Sequence, residues 1–352
     1  LSRAGEWFLR SGIQQPNGGV ARYYRTDQER NHVVSTEITG YAASTFVYLH
    51  SVAKDARYLD RAVAAARFLT RTAWDSASRT MPFEIDPPAL TYFFDCGIVV
   101  RGLVSVWRAT ADGEFLDAAS ALGRSMLRDF ASADGGFHPV LSLPGKRPLE
   151  PDAARWSRSP GCYQLKAAMA WWDLLEATAD EHFREPYERV LEYSLGACAD
   201  FLPGHAERPK VMDRLHAFLY FLEGLLPRAQ EPRVAAAIRE GIGRAAQHLR
   251  EIAPEFERSD VYAQLLRMRL YAGRAGALPL DGAAAQFEAE RLAEFQVAGY
   301  GQSTGGGFYF GRQAGAWLPY VNPVSTAFAL QALELWDGCR TGKALVWRHL
   351  PI

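Results

Sequence analysis

Stretches that are apolar on every side alternate along this chain with stretches that are apolar on one side only. The first kind recurs six times, over residues 37–53, 98–109, 165–175, 213–226, 259–271 and 324–336. The second kind follows five of them, at 58–72, 114–130, 182–199, 234–252 and 282–295. In 58–72, for example, Arg61, Arg67 and Arg71 stand among Ala, Val, Phe and Leu. A helix that is apolar all round is buried all round, whereas an amphipathic one covers a core. Residues 1–12, with Trp7, Phe8 and Leu9 on the apolar side and Gly12 as a stop, supply a sixth covering helix if the chain ends meet. Repeated helical pairs build either an open solenoid or a closed ring. A solenoid leaves its inner helices one exposed side, and these show none. The pattern predicts an all-α (α/α)6 toroid, six inner helices inside six outer ones with the N-terminal helix closing the ring, as a single domain over residues 1–352.

Each apolar helix begins at a polar or acidic head. The first is Ser35-Thr36-Glu37-Ile38-Thr39-Gly40-Tyr41, where Glu37 and Tyr41 are four apart and share a helix face. The second is Phe94-Asp95-Cys96-Gly97, preceded by Tyr92. The third follows Trp156-Ser157-Arg158 and the cap-like pair Ser159-Pro160. Asp213 heads the fourth, Ser259-Asp260 the fifth and Asn322-Pro323 the sixth. The runs Asp134-Gly135-Gly136 and Gly305-Gly306-Gly307 neither follow a strand nor open a helix as a phosphate loop must, so they read as hairpin turns.

Composition narrows the chemistry. There are 39 basic and 40 acidic residues, with no basic stripe, which argues against a nucleic-acid partner. A core takes many of the 9 Trp, 15 Tyr and 19 Phe, but sugar-binding clefts also use aromatic faces, which take the apolar C–H face of a pyranose. Cys96, Cys162, Cys198 and Cys339 are far apart and read as free thiols, which weakly favours a cytoplasmic location. A start at Leu1 leaves a periplasmic one open if a signal peptide was removed. No segment approaches the ~20 apolar residues of a membrane span. No His, Cys or carboxylate cluster has metal-ligand spacing, and neither metal nor cofactor is expected.

The alternation of helix, Gly-Gly turn and apolar helix resembles the six-hairpin glycosidase and terpenoid-cyclase-like toroids. More narrowly, the chain looks like the cyclase-like proteins of bacterial polysaccharide-biosynthesis clusters. Their Glu-hydrophobic-Thr-Gly-Tyr element is matched by Glu37-Ile38-Thr39-Gly40-Tyr41. Their Phe-Asp-Thr-Gly is matched by Phe94-Asp95-Cys96-Gly97, with Cys in place of Thr, and their His-x-x-x-Tyr followed by Gly-Leu-Leu by His216, Tyr220 and Gly224-Leu225-Leu226. The chain departs from triterpene cyclases, having no DxDD acid motif and only an echo of the Gln-Trp repeat in Gln302 and the Gly305–Gly307 turn. It also lacks the zinc set of prenyltransferase subunits, so terpene chemistry is not expected.

The resemblance implies a saccharide substrate, and the residues suggest how it is handled. Glu37 and Asp95, from consecutive inner helices, form the carboxylate pair that glycoside hydrolysis uses. The plainer role for each is to cap its helix or complement the helix dipole. His216 with Tyr220 suggests proton abstraction beside a uronate carboxylate, as in a lyase or C5-epimerase. Against that stands an ordinary hydrogen-bonded core histidine. Tyr41, Tyr92, Trp156, Arg158, Tyr163 and Asn322 are candidate sugar contacts at the helix mouths, Arg158 for a carboxylate and Asn322 equally as an N-cap. Trp171, Trp172 and Trp336 read as core. The expectation is a carbohydrate-active enzyme on a poly- or oligosaccharide, hydrolytic first and lyase or epimerase second. The alternative from another class is a non-catalytic glycan-binding protein of a polysaccharide-synthesis complex.

Overall fold

The computed structural model describes residues 2–152, 154–202, 208–253, 255–299, 301, 303–343 and 352. In chain order its helices are α1 (Ser2–Arg10), α2 (Thr36–Ala53), α3 (Ala56–Arg67), α4 (Phe93–Thr110), α5 (Gly113–Asp129) and α6 (Gln164–Thr178). They continue with α7 (Arg184–Ala197), α8 (Arg208–Gly224), α9 (Pro232–Ile252), α10 (Ser259–Arg274), α11 (Gly282–Ala293) and α12 (Pro323–Arg340). The short strands are β1 (Tyr24–Arg25), β2 (Arg30–Asn31), β3 (Leu90–Tyr92), β4 (Val140–Ser142) and β5 (Arg147–Pro148). After them come β6 (Phe256–Arg258), β7 (Gly311–Gln313), β8 (Ala316–Trp317) and β9 (Tyr320–Val321). They form three antiparallel sheets, β2-β1-β9, β3-β4-β5 and β6-β7-β8. The sequence pattern gives no hint of these strands, which are two or three residues long and sit in the loops. Three of them lead into helices that were expected to be inner ones: β3 into α4, β6 into α10 and β9 into α12.

The described residues fall into two compact units. One comprises Gln14–Arg22, Val33–Ala197 and Ile352; the other comprises Leu1–Ile13, Tyr23–His32 and Cys198–Pro351. In the first, α2, α4 and α6 pack side by side, and α3, α5 and α7 each cover the helix before them. In the second, α8, α10 and α12 pack together under α9, α11 and α1. The N-terminal helix does lie against α12, as the pattern required. Gly306, in the left-handed region at φ 94°, lets the second glycine turn press onto α1, since a Cβ there would stand 2.3 Å from the Arg3 carbonyl oxygen.

Burial follows the two patterns. Every α10 residue from Ser259 to Ala272 is buried, whereas α9 buries only Val234, Ile238, Gly241, Ile242, Ala245, Ala246, Leu249 and Ile252. Trp171 is buried and donates from Nε1 to the Gly123 carbonyl at 3.0 Å, and Trp336 is also in the core. Trp172 is only half-buried, because it faces Tyr187 and Glu176 at the α6 surface. The four cysteines are free. Among the described residues, no helix is long and apolar enough to cross a membrane. Gln302 and most of the stretch beyond Lys343 lie outside the described residues.

The hairpins of the first unit repeat one turn. Lys54, Ala111 and Ala179 each end an inner helix in the left-handed region, at φ 57°, 57° and 56°. The next residue is always an aspartate, and Asp55, Asp112 and Asp180 each accept from a backbone N–H two residues on. Aspartate capping therefore belongs to the outer elements, where a cap contributes ~1 kcal/mol.

In the second unit a buried ion pair ties the inner helices together. Arg267 of α10 donates to Glu223 of α8, and from Nη1 to Gln331 of α12 at 2.9 Å, with no solvent contact. Removing one partner leaves a buried charge and costs about 3–5 kcal/mol. Arg267→Met is expected to lower stability by about that amount in denaturant unfolding, and adding Glu223→Met to recover most of it. Equal midpoints for the single variant and the parent would show that the clamp carries no such weight.

Candidate active site

Glu37 is the second residue of α2, and Asp95 and Lys166 are the third residues of α4 and α6. Three consecutive inner helices thus begin with a charged side chain in the first turn. Glycines allow those helices to approach. A Cβ on Gly102 would lie 2.5 Å from the Gly40 carbonyl oxygen, and one on Gly97 would lie 2.5 Å from the Ala167 carbonyl oxygen. The glycines of both motifs are therefore contact points between backbones. The motif hydroxyls are structural as well: Thr36 donates to the Pro82 carbonyl at 2.7 Å, and Thr39 accepts from the Val20 N–H at 3.0 Å. Cys96 fills the place where the resembled motif has threonine. Its sulfur lies 3.4 Å from the Thr91 hydroxyl and 3.8 Å from the Met81 carbonyl. Burial pushes its thiol up to about 11, so it is a packed, protonated group.

Neither acidic head caps its helix. The N-caps of α2 and α4 are Ser35 and Tyr92, with no side-chain cap bond. Asp95 is 7% exposed, and its Oδ2 is buried with no hydrogen-bond partner among the described residues. A buried acceptor left unmatched costs ~1–3 kcal/mol, so it needs a reason. Burial, followed by repulsion from Glu37, raises the Asp95 carboxyl well above the usual range. Glu37 keeps some solvent contact, yet burial raises it to about 7 against the pull of Arg22 and Lys166. Both cations favour the charged form of Glu37, while its charge disfavours that of Asp95. Burial thus raises both carboxyls of the coupled pair, and the Glu37 charge raises Asp95 further.

The other expected residues of this unit are arranged unequally. Tyr41 is 2% exposed, its ring centre 5.4 Å from the Lys166 ammonium, so it is packed and offers no open face. Lys166 is fully buried and donates to the Ile352 backbone oxygen at 2.9 Å. Tyr163 is buried, its hydroxyl bonded to the Ser159 carbonyl at 3.0 Å, and Trp156 meets it edge to face at 4.9 Å. Trp156 and Arg158 lie on one short 3-10 turn, both half-buried. Tyr92 is half-buried with its ring on Phe83. Arg22 and Lys166 escaped the sequence reading. Lys166 had a legible signal, a lone charge at the register of Asp95 inside an otherwise apolar run. Arg22, in a turn-rich stretch, had none.

His216, Tyr220 and Asn322 belong to the other unit. His216 Nδ1 lies 2.8 Å from Gln264 Oε1 and 3.3 Å from Asp260 Oδ2. Gln264 also donates from Nε2 to the His216 carbonyl at 3.4 Å, which fixes the orientation of its amide. The ring proton is therefore on Nδ1, and Nε2 is the basic nitrogen. Burial lowers His216 to about 4, so it is neutral at physiological pH. Asp260 is held ionised by Arg258, through Nε at 3.0 Å and Nη2 at 2.6 Å, and Arg258 reaches Asp213 at 2.7 Å. Tyr220 is buried against the imidazole, the ring centres 4.3 Å apart. Asn322 is a helix cap: its Oδ1 accepts from the Val324 and Ser325 N–H groups at 2.8 and 3.1 Å. The sequence placed Asp260 only as a helix head and missed Arg258 and Gln264, whose roles depend on a strand and a helix meeting.

No protein-family model matches the chain, and no curated protein sequence matches it. Solved structures do. A sugar epimerase from a ruminal bacterium superposes with a TM-score of 0.71 at 12% identity, covering 97% of both chains. Cellobiose 2-epimerase from Spirochaeta thermophila gives 0.71 at 16% identity over 96% of both. An α-1,6-mannanase of Salegentibacter gives 0.60 at 12% identity over 95% of this chain and 98% of its own. The chain has their fold, an (α/α)6 toroid.

Two expectations follow. Glu37 binds its proton more tightly folded than unfolded, so its contribution to stability is complete below pH ~4.5 and is lost as pH rises through about 7. Glu37→Gln is expected to match the parent in melting temperature at pH 4 and to exceed it at pH 8, by ~1–2 kcal/mol after allowing for partial exposure. A constant difference across that range would contradict the raised acidity. Gly97→Ala is expected to cost ~1–3 kcal/mol in unfolding free energy by forcing α4 and α6 apart. An unperturbed variant would show that the close approach is not needed.

Proposed function

We propose that the protein is a carbohydrate-active enzyme that hydrolyses a poly- or oligosaccharide, with residues 1–352 acting as one catalytic domain. The observation that carries this reading is the Glu37–Asp95 pair, two carboxylates in first turns of adjacent helices, one with a buried oxygen that has no partner among the described residues and both raised above the usual carboxylate range by burial. Acids with raised proton affinity cluster at functional sites, and a working acid is kept protonated at the pH of use. In this mechanism Asp95 gives its proton to the leaving glycosidic oxygen as the bond to the anomeric carbon breaks. Glu37 stabilises the positive charge that develops there and deprotonates the water, or adds to the carbon directly. Lys166 and Arg22 favour the ionised form of Glu37 against the burial that raises it. Trp156 and Arg158, half-buried on their turn, supply an apolar face and a donor for the sugar. The structural neighbours, a sugar epimerase, a cellobiose 2-epimerase and a mannanase, all act on carbohydrates, which supports the substrate class.

A second reading rests on His216. A neutral imidazole with Nδ1 fixed by Gln264 and Asp260 is the form a proton-abstracting base takes. An epimerase or lyase would use Nε2 in that way, with Tyr220 as the nearby phenol.

Glu37→Gln and Asp95→Asn decide between these readings and a mere binding protein. With reducing-end release followed over a panel of glycans, each substitution is expected to lower kcat at least 10²-fold with substrate affinity retained. Full turnover in both variants would remove the pair from the mechanism. Turnover without new reducing ends but with solvent deuterium entering the sugar, abolished by His216→Gln, would favour the epimerase.

A further inference from the structure

Neighbouring residues on a strand point to opposite sides. On β6, Arg258 goes to Asp260 and Asp213, whereas Glu257 goes to a cavity of about 430 Å³ in the same unit. That size lies within the ~300–1,000 Å³ of small-molecule sites. The floor of this cavity is a closed ionic cluster. Glu257 is 3% exposed; its Oε1 accepts from the Tyr262 hydroxyl at 2.9 Å and from Arg291 at 2.8 Å, and its Oε2 from Arg312. Leu249 and Phe287 form an apolar wall, and Phe287 is 48% exposed. Arg250 and Glu255 stand at the rim.

The acceptors of the cavity are already committed. Both Glu257 oxygens are taken, and Glu255 accepts from Arg208 at 2.6 Å. Three arginines and two glutamates line the cavity; Arg291 and Arg312 are also paired with Glu294, at 2.9 and 3.3 Å, whereas Arg250 makes no ion pair or hydrogen bond through its side chain among the described residues and is the donor left over. A ligand that complements this lining brings acceptors and negative charge on one side and an apolar face for Phe287 on the other. An exposed aromatic ring beside a guanidinium suits a pyranose, whose C–H face lies on the ring while its substituents meet the donor.

We propose that the Glu257 cavity binds an anionic pyranose, a sugar ring bearing a carboxylate or a sulfate, through Phe287 and Arg250. None of its lining residues is a candidate catalytic group, so it serves to hold an acidic sugar unit rather than to transform it. The choice of a sugar rests on the carbohydrate reading above; the choice of an anion rests on the cavity alone.

Calorimetric titration of the whole chain tests this with trigalacturonate, a sulfated glucose trisaccharide and neutral maltotriose. At least one anionic ligand is expected to bind 10-fold or more tightly than maltotriose, and the arm that binds identifies carboxylate or sulfate. Phe287→Ala and Arg250→Glu both alter exposed side chains outside the ionic floor, so the fold is kept, as an unchanged melting temperature verifies. Each is expected to weaken the anionic ligand at least 10-fold while turnover of short neutral substrates stays at the parent level. Equal binding of maltotriose, no binding by either anion, or unchanged affinity in either variant overturns the proposal. Such a failure alongside lost turnover in Glu37→Gln would leave the catalytic reading standing, and the converse result would separate them the other way.

Discussion

The site depends on a steric constraint, the contact of backbones at Gly40, Gly97 and Gly102. In α2, α4 and α6 the side chains that ordinarily keep helices 8–10 Å apart are missing at these points. The helices close until a carbonyl oxygen occupies the space of a methyl group. Glu37 lies three residues before Gly40, and Asp95 two before Gly97, so each carboxylate stands within one turn of its helix contact. Tight packing there excludes water, and the exclusion of water raises both acids. A larger residue at any of the three positions would act on proton affinity through distance and hydration, without touching either carboxylate.

The same packing makes the electrostatics directional. In a dry environment the charge on one group is felt strongly by the next. Arg22 pulls on both carboxyls, Lys166 on Glu37, and Glu37 opposes the charge of Asp95, so two carboxylates in similar positions have different surroundings. Helix dipoles do not distinguish them, since both are in first turns. The second unit solves the burial of charge by another means. Arg267 bonds Glu223 and Gln331, Arg269 bonds Glu288, and Arg258 bonds Asp260, each buried charge directly against an opposite one. Those pairs specify packing, whereas Asp95 has a like charge as its neighbour.

The alternation of all-round apolar and one-sided helices was legible because burial imposes it residue by residue. That gave the twelve helices, the return of the first onto the last, and the two glycine turns. Glu37 and Asp95 were legible as motif residues, although capping explained them equally well until the structure showed aspartate caps confined to the residues before outer elements. What escaped has a common physical character. The strands are too short to carry a period, and Arg258 and Glu257 divide between two clusters only because β6 exists. Arg22 and Gln264 act through contacts between segments far apart in sequence, Gln264 fixing a histidine tautomer across 48 residues. Tyr41 was placed correctly on the face of Glu37, but that face is packed under Lys166, which an i, i+4 argument cannot foresee.

A toroid shared with an epimerase and a mannanase at 12–16% identity sets where charged groups are placed, not which reaction they perform. The reaction follows from the state in which each group is held. An epimerising base must be neutral and oriented, and His216 is both, but its proton affinity is lowered to about 4, so it is a weak base in the resting molecule. A glycosidic acid must keep its proton until the substrate is bound, and burial and the charge of Glu37 both raise the Asp95 carboxyl above its usual range. Its buried Oδ2 has no partner among the described residues, which leaves it available to a bound group. A histidine lowered by burial against a carboxyl raised by it is the asymmetry that puts the proposed carboxylate pair ahead of the imidazole.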